Sequence, residues 1–590
     1  MVVICCCLGS SPVAEAVLAK LDEGSDCNLS DDEVEDVEPQ PISTDERTDD
    51  ESEVESDTPT SAAVGKQKSV TPWNKVTKKS QFEMRETSEN VDNSAAEQRE
   101  NWTARQYFES YIGHDVYKKM AECTNRRAVE TVGRSLNTTT VEIKRFWGIS
   151  MLASCLGYPR IRMFWASVTR VPRIADTMSR NRYFKLRSNI KVVNDVDVSE
   201  EDRKADRLWK VRPLLNAVRE GCLQQKRETK VSIDEQMIPF SGTSQLKQYV
   251  PNKPNPVGLK NFVLANPNGL VLDFRIYAGK ETFSDISTDN DKLGLGGKVV
   301  VCLTQSMPKG SVVFCDRYFT TVALVDDLLK RGIYCTGTIM KNRIQSVGKK
   351  LKGDKELTKD GRGTSDAVKD RNNKICLVKW FDNKPITLMS SFVGINPEGS
   401  CRRWSKKDSK YIEIKCPKIV QEYNKHMGGV DMSDRLISYY RIKTRTKKWT
   451  VRTFCHMFDL ALVNSWIQYR DDRQQIGCRP KEIMQLLAFK LDVAESLISE
   501  CESEDSESEP EPESEPEDEA GQARKRKSTP LPSVHKRVKG THLPEMDLAT
   551  YSSRCRNPGC SQRRKIRCTF CNVPLCLTAT RNCFKDFHNT

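Results

Sequence analysis

The chain has 590 residues, 37% of them hydrophobic, which calls for several domains and a sizeable core. It holds 94 Lys and Arg against 81 Asp and Glu, a formal net charge of +13 that points to a polyanionic partner. No run of 18 apolar residues occurs, which excludes an ordinary membrane-spanning helix, and the apolar opening MVVICCCLGSSPVAEAVLAKL lacks the basic start of a secretory signal.

The charge is unevenly placed. Residues 1–60 hold 2 basic and 18 acidic residues, and residues 500–520 hold 12 acidic and none basic. Apart from those two stretches the chain carries 92 basic and 51 acidic residues, a balance of +41 that suits nucleic acid. Six of the 22 cysteines crowd into residues 555–583 and the rest scatter, which fits reduced thiols plus one metal module better than secreted disulfides.

In chain order, residues 1–100 are acidic, Ser/Thr-rich and poor in aromatics, and are expected to be disordered. Helical spacing begins near Trp102. TARQYFESYIGHDVYKKMAECTNRRAVETVG reads as one helix and VEIKRFWGISMLASCLGY as the next, with N-cap oxygens in Asn137 to Thr140 and Glu142 behind them. Asp176 to about Gln225 is a further helical stretch rich in Arg and Lys, readable as scaffold or as DNA contact, so that 101–228 forms a helical region.

From Lys230 the period becomes that of strands. KVSID ends in Asp234, and Phe262–Asn266 and Leu270–Tyr277 flank Pro267-Asn268-Gly269, a hairpin signal. Val299–Leu303 closes a helix, and Ser311–Cys315 is a strand leading to Asp316. TTVALVDDLLK is a helix stopped by Gly332, and Tyr334–Met340 is the next strand. This order, with a later acid-bearing helix, is that of a ribonuclease H-like α/β core. The core is expected in two parts, 229–340 and 424–490, split by a Lys-rich, β-rich insertion at 341–423 in which KICLVKWF and PITLMSSF pair around Asp382-Asn383. After Asp431, the residues Val451, Phe454, Cys455, Phe458, Leu462 and Trp466 mark one helical face, read as core. Residues 491–540 form a linker, acidic through 519 and then carrying two basic clusters in ARKRKSTPLPSVHKRVK. Those clusters suit nuclear import or nucleic-acid contact, or balance the acidic run. Residues 541–590 are the cysteine-rich end.

Three aspartates thus arrive from separate elements: Asp234, Asp316, and Asp431 after a Gly-Gly pair. Carboxylates converging in this way are what two Mg²⁺ ions require, because Mg²⁺ takes a few carboxylates, several waters and substrate phosphate oxygens. Lys443, Arg445, Lys447, Lys448 and Arg452 follow closely and suit phosphate contact, while Trp449 fits either a base stack or the core. At the C-terminus, Cys555, Cys560, Cys568, Cys571, Cys576, Cys583 and His588 have the density of a structural zinc module, the alternative being free thiols. Seven ligands do not fill two tetrahedral sites, and His542 is the natural eighth. Arg563, Arg564 and Lys565 beside them suit DNA. His114, His426 and His456 are read as structural.

SIDEQMIPFSG, CDRYFTT and YNKHMGGVDMSD, followed by RTKKWT and NSW, resemble the piggyBac family of DNA transposases and their domesticated derivatives. The resemblance spans roughly residues 100–490 and the cysteine-rich end. Carried over by position, it puts the catalytic aspartates at Asp234, Asp316 and Asp431, with Asp434 at a further acidic position. Arg317 departs from the Asn that related sequences often carry. The resemblance implies two catalytic Mg²⁺ and a nuclear homodimer whose helical region serves DNA binding and dimerisation. It further implies two interleaved Zn²⁺ in a module that reads element ends, and strand cleavage, hairpin formation and joining at TTAA. The rival expectation is a domesticated DNA-binding protein whose cleavage is lost or repressed.

Overall fold

The computed structural model describes residues 73–77, 81–87, 94–251, 253–284, 293–405, 408–500, 542–546, 552–569, 571, 573–578 and 580–589. The acidic N-terminal stretch through residue 72, the acidic run after 500 and the basic clusters lie outside them. The chain divides into two compact units, Met1–Ser503 and Glu504–Thr590.

A ten-stranded mixed sheet organises the first unit. Its middle is β2 (Lys230–Pro239), β6 (Val312–Cys315) and β7 (Tyr334–Thr338), paired in parallel. Parallel strands are covered on both faces and read as unbroken apolar runs; accordingly Val312, Val313, Phe314 and Cys315 are all fully buried. On one side β4 (Val257–Ala265) pairs antiparallel with β2 and carries β3 (Lys247–Tyr249) and β5 (Val271–Ile276). The β4–β5 turn at Pro267-Asn268-Gly269 is held by Gly269 at φ 97°. Helices Leu295–Leu303 and Val322–Lys330 lead into and out of β6, the second capped by Thr321 and followed by Gly332 at φ 79°.

β2 runs past Asp234 to Pro239, longer than KVSID suggests. β6 accompanies it only from Lys230 to Ile233, while β4 pairs with it from Ser232 to Pro239. Asp234 therefore stands in mid-strand, at the point where its parallel neighbour stops.

Residues 341–423 do not form a detached sheet. β10 (Pro385–Ser390) pairs with β7, and β9 (Cys376–Phe381), β8 (Ser365–Asp370) and β1 (Trp73–Lys75) extend the main sheet outward. Only β11 (Gly399–Ser405) and β12 (Lys410–Cys416) stand apart, as a hairpin.

The expected helix over 103–133 is two, Ala104–Glu109 and His114–Val132. Tyr111 and Ile112 are buried at the break, and extended Gly113 restarts the helix. The basic stretch 176–225 likewise gives Arg180–Asn189, Glu200–Ala205 and Arg212–Leu223. Ser179 and Ser199 cap the first two, and proline stands at the start of the third. Helix Trp449–Gln475 is buried along both faces rather than one, because Met457, Leu460, Val463 and Ile467 fill the side opposite the predicted stripe. Within it the Asn464 amide both accepts from Val271 N (3.0 Å) and donates to Val271 O (2.9 Å), closing the end of β5. Helix Leu486–Ile498 carries the fold past residue 490, because Phe489, Val493 and Leu497 are buried. Among the described residues no helix is long and apolar enough to cross a membrane.

The second unit has two short strand pairs, Pro544–Met546 with Ile566–Cys568 and Ser553–Arg554 with Arg563–Arg564, followed by helix Cys583–Asn589.

Candidate active site and metal-binding module

The acids meet because of where strands and glycines stand. Ile233 pairs with Cys315 across the parallel β2–β6 ladder, so the next residue of each strand, Asp234 and Asp316, lies alongside the other at the carboxyl end of β6. Helix Gly429–Tyr439 then packs against β2 and β4. A Cβ on Gly429 would sit 2.4 Å from Asn266 O and 2.7 Å from Ser232 Oγ, and one on Gly269 would meet Met432 Cγ at 3.0 Å. Only glycine permits that approach at position 429, whereas a Cβ on Gly428 would meet open space. The approach puts Asp431 in the first turn, exposed, and Asp434 one turn on, partly buried.

Local bonds set the two strand acids. Asp234 Oδ1 accepts from Glu235 N (2.8 Å), and Asp316 Oδ1 accepts from Tyr318 N (2.8 Å). Arg343 Nη1 donates to the carbonyls of Arg317, Tyr318 and Thr320, each at 2.9 Å, and so clamps the turn after Asp316. Arg317 itself points to solvent.

Three residues that sequence reasoning missed complete the site. Glu235 adds a fifth carboxylate. Lys253 lies 3.9 Å from Asp234 and 3.8 Å from Glu235 and donates to Glu235 O at 3.1 Å. Lys260 stacks its ammonium over Tyr318, 4.6 Å from the ring centre. Five acids thus face two lysines. Burial pushes the Asp234 carboxyl up to about 8, against the pull of Lys253, and Asp316 adds to the rise. Burial likewise raises Asp316, and raises Asp434 to about 6 beside the Gln236 amide and Arg441. Lys253 is raised as well: burial alone would lower it, but Asp234, Glu235, Asp431 and Asp434 hold its proton on. Behind the acids, buried His456 bonds through Nε2 to Gln236 Oε1 (2.8 Å), and burial drops its pKa to about 3, so it is a neutral structural donor.

This donor set fits a divalent cation. Its oxygens are hard ligands, its charge is in negative excess, and Glu235 Oε2 and Asp434 Oδ1 are buried with no hydrogen-bond partner among the described residues. The carboxylates are not drawn to mutual ligand distance; the two groups of described residues that are both lie in the C-terminal unit.

Those groups are His542, Cys568, Cys571 and His588, and Cys555, Cys560, Cys576 and Cys583, with ligand atoms within 4.8 Å of one another in each. The ligands interleave along the chain, which staples both halves of the unit together. His542 Nδ1 lies 3.4 Å from Cys568 Sγ and 3.5 Å from Cys571 Sγ, and Cys560 Sγ lies 3.8 Å from Cys576 Sγ. A tetrahedron with metal–sulfur bonds of about 2.3 Å has edges of about 3.8 Å. His588 Nδ1 is bonded to Phe584 O (2.7 Å), the backbone contact that orients a ligating imidazole.

The basic loop before helix Trp449–Gln475 alternates. Ile442 and Thr444 turn inward, while Lys443, Arg445 and Lys447 are exposed, as is Lys448. Lys448 Nζ reaches Ser188 O at 2.7 Å. Arg452 differs from its neighbours: its guanidinium turns back onto Thr444 O, because it is already in the first turn of the helix. Trp449 packs partly against the core. In the second unit Arg563 and Lys565 are exposed and Arg564 is half-buried.

A mixed sheet that gathers acids at the end of its parallel strands, with a Cys/His module on the same chain, marks a class of proteins whose residues could hold metal ions. The particular family follows from comparison. A family model described as Transposase IS4 matches residues 103–466, and the chain belongs to that transposase family, in its piggyBac branch. The human PiggyBac transposable element-derived protein 3 is 32% identical over 372 residues, which cover 62% of this chain and 60% of that protein. The human PiggyBac transposable element-derived protein 2 is 30% identical over 397 residues, 66% of this chain and 64% of that one. The match thus spans less than two thirds of either relative's length. A cryo-EM structure of a piggyBac transposase synaptic complex with hairpin DNA shares the fold, with a TM-score of 0.56 at 21% identity over 68% of this chain and 81% of that one.

Proposed function

We propose that this protein is a metal-dependent DNA transposase that cleaves a DNA strand, forms a hairpin at the freed end and joins that end to target DNA at TTAA. The observation that carries the reading is the acidic centre: five buried or rim carboxylates from three elements, with burial pushing the Asp234 carboxyl up to about 8. Asp234, Asp316 and Asp431 are the residues that would hold two Mg²⁺, with Asp434 in support. The β2–β6–β7 sheet is read as the ribonuclease H-like core. When bound, the two ions stabilise the attacking and leaving oxygens of a phosphoryl displacement. The chain's own groups do the rest. Arg343 fixes the Asp316 turn, His456 holds Gln236 behind the acids, and Lys443, Arg445, Lys447 and Lys448 neutralise phosphates regardless of sequence.

The C-terminal groups are read as two structural zinc sites in a module that recognises element ends through Arg563, Arg564 and Lys565. That the human relatives are named transposable element-derived, and that one solved structure is titled a synaptic complex with DNA, supports double-stranded DNA as the partner. A homodimer, import through the basic clusters and a nuclear location complete the reading.

A second reading, a DNA-binding protein of transposon origin that no longer cuts, is favoured by one feature: Lys253 lies among carboxylates that stand apart. Purified protein incubated with Mg²⁺ and DNA ends flanked by TTAA separates the two. Nicks and hairpins that vanish in Asp316→Asn are the expected result. Tight binding without cleavage under any divalent metal selects the second reading.

A further inference from the structure

We infer that the outward face of the β11–β12 hairpin is a stacking platform for unpaired nucleotide bases, an inference that rests on the DNA reading above. In the register of the hairpin Trp404 lies opposite Tyr411 and Arg402 opposite Glu413, so these four side chains share one face. The other face turns Cys401, Ile412 and Ile414 to the core. Trp404 is 49% exposed and Tyr411 57%, and their rings meet edge to face at 5.1 Å. The Arg402 guanidinium lies 4.1 Å from the centre of the Tyr411 ring.

The backbone beneath is pinned. Arg362 and Arg403 both bind the Asp382 carboxylate, and Arg362 Nη1 donates to Trp404 O at 3.3 Å. A tryptophan held on a fixed strand with half its surface in water fills no core; it presents a flat apolar face to a partner.

Charge and geometry select the occupant. Residues 399–416 hold six Lys and Arg against one Asp and one Glu, so the partner is anionic. A cationic guest such as a methylated lysine would meet Arg402 already placed against Tyr411. A polyanion that also carries planar rings satisfies both features. Bases offer their faces only outside the duplex stack, and aromatic stacking on them is tolerant of sequence. Cleavage and hairpin closure leave such bases at a DNA end.

The test uses the full-length protein with three probes of equal length: an oligothymidylate strand, an abasic strand with the same phosphates, and a duplex. Trp404→Ala is expected to weaken oligothymidylate binding by about tenfold and Tyr411→Ala by less, with Trp404→Phe recovering most of the loss. Binding of the abasic strand and the salt dependence should be unchanged by these three, whereas Arg402→Ala should lower the salt slope by about one. The inference is overturned if Trp404→Ala binds oligothymidylate like the parent, or loses the abasic strand equally. It is also overturned if a trimethyl-lysine peptide competes for Trp404. Wild-type protein that binds the duplex but not the single strand removes this inference and leaves the transposase reading standing; protein that binds no DNA at all removes both.

Discussion

The acidic centre and the Cys/His module are both assembled from distant segments, but they differ in how closely their side chains gather. In the module, sulfur and nitrogen stand at 3.4 to 3.8 Å, already the edges of a tetrahedron. In the core, the acids share one neighbourhood but stay apart, with Lys253 in contact with two of them. The contrast follows from ligand chemistry. Thiols in their protonated form and imidazoles in their unprotonated form are neutral, so a compact unit can bring them together. Carboxylates repel, and burial either neutralises one, as at Asp234, or recruits a cation. The core has done both.

The comparison can be broken from several sides, the largest effect first. Chelation of metal, or Cys568→Ser, should unfold the C-terminal unit, since a structural zinc site contributes on the order of 10 kcal/mol to such small folds. Amide exchange should show protection lost over 542–589 and retained over 230–340. Protection surviving in the C-terminal unit without metal would remove the zinc assignment.

Asp234→Asn should act on stability with a definite sign. The folded pKa, about 8, lies above the usual 3.8, so the folded state holds a proton that the unfolded state has released between those values. Stability therefore falls as pH rises from about 4 to about 8, and the cost is constant above that. Metal-free Asp234→Asn should match the parent near pH 4 and exceed it by on the order of 5 kcal/mol at pH 9. Thermal melts in excess Mg²⁺ should reverse the order, because the amide is a poor ligand for the ion.

Lys253→Ala should sharpen the same point. Metal-free protein should lose about 2 kcal/mol, while the gain in melting temperature on adding Mg²⁺ should grow, since the ammonium no longer competes. A variant with an unchanged Mg²⁺ response would show that Lys253 does not stand in for the ion. The smallest effects belong to the basic loop. Lys443→Ala and Arg445→Ala should each reduce the salt slope of DNA binding by about 0.9. Arg452→Ala should leave the slope alone and lower stability instead, because its guanidinium serves Thr444.

Much of this was legible in the sequence for identifiable reasons. Val312–Cys315 is an unbroken apolar run of the kind a doubly covered strand gives, and Asp316 was conspicuous as the charge that ends it. Gly332 and Asn268-Gly269 announced the helix stop and the turn. The eight Cys and His residues that gather into two groups were countable because spacing survives without any knowledge of packing. Lys253 was not, since it lies in the proline-rich loop VPNKPNPVG, which has no periodicity, and its role comes from the fold of β3 against β4. Glu235 was hidden by its neighbour: alternation along a strand predicts that adjacent residues face apart, yet both contact Lys253. The fate of 341–423 was equally unreadable, because strand sequences do not tell which edge they join, and β10 chose β7.

The central claim, that the acids of the core gather on divalent ions, is tested most directly by electron paramagnetic resonance of Mn²⁺ bound to the full-length protein. The expected result is two ions whose signals are coupled at a separation of about 4 Å and which are lost in Asp316→Asn. An unchanged spectrum in that variant, or no bound Mn²⁺ at concentrations that support DNA binding, would contradict it.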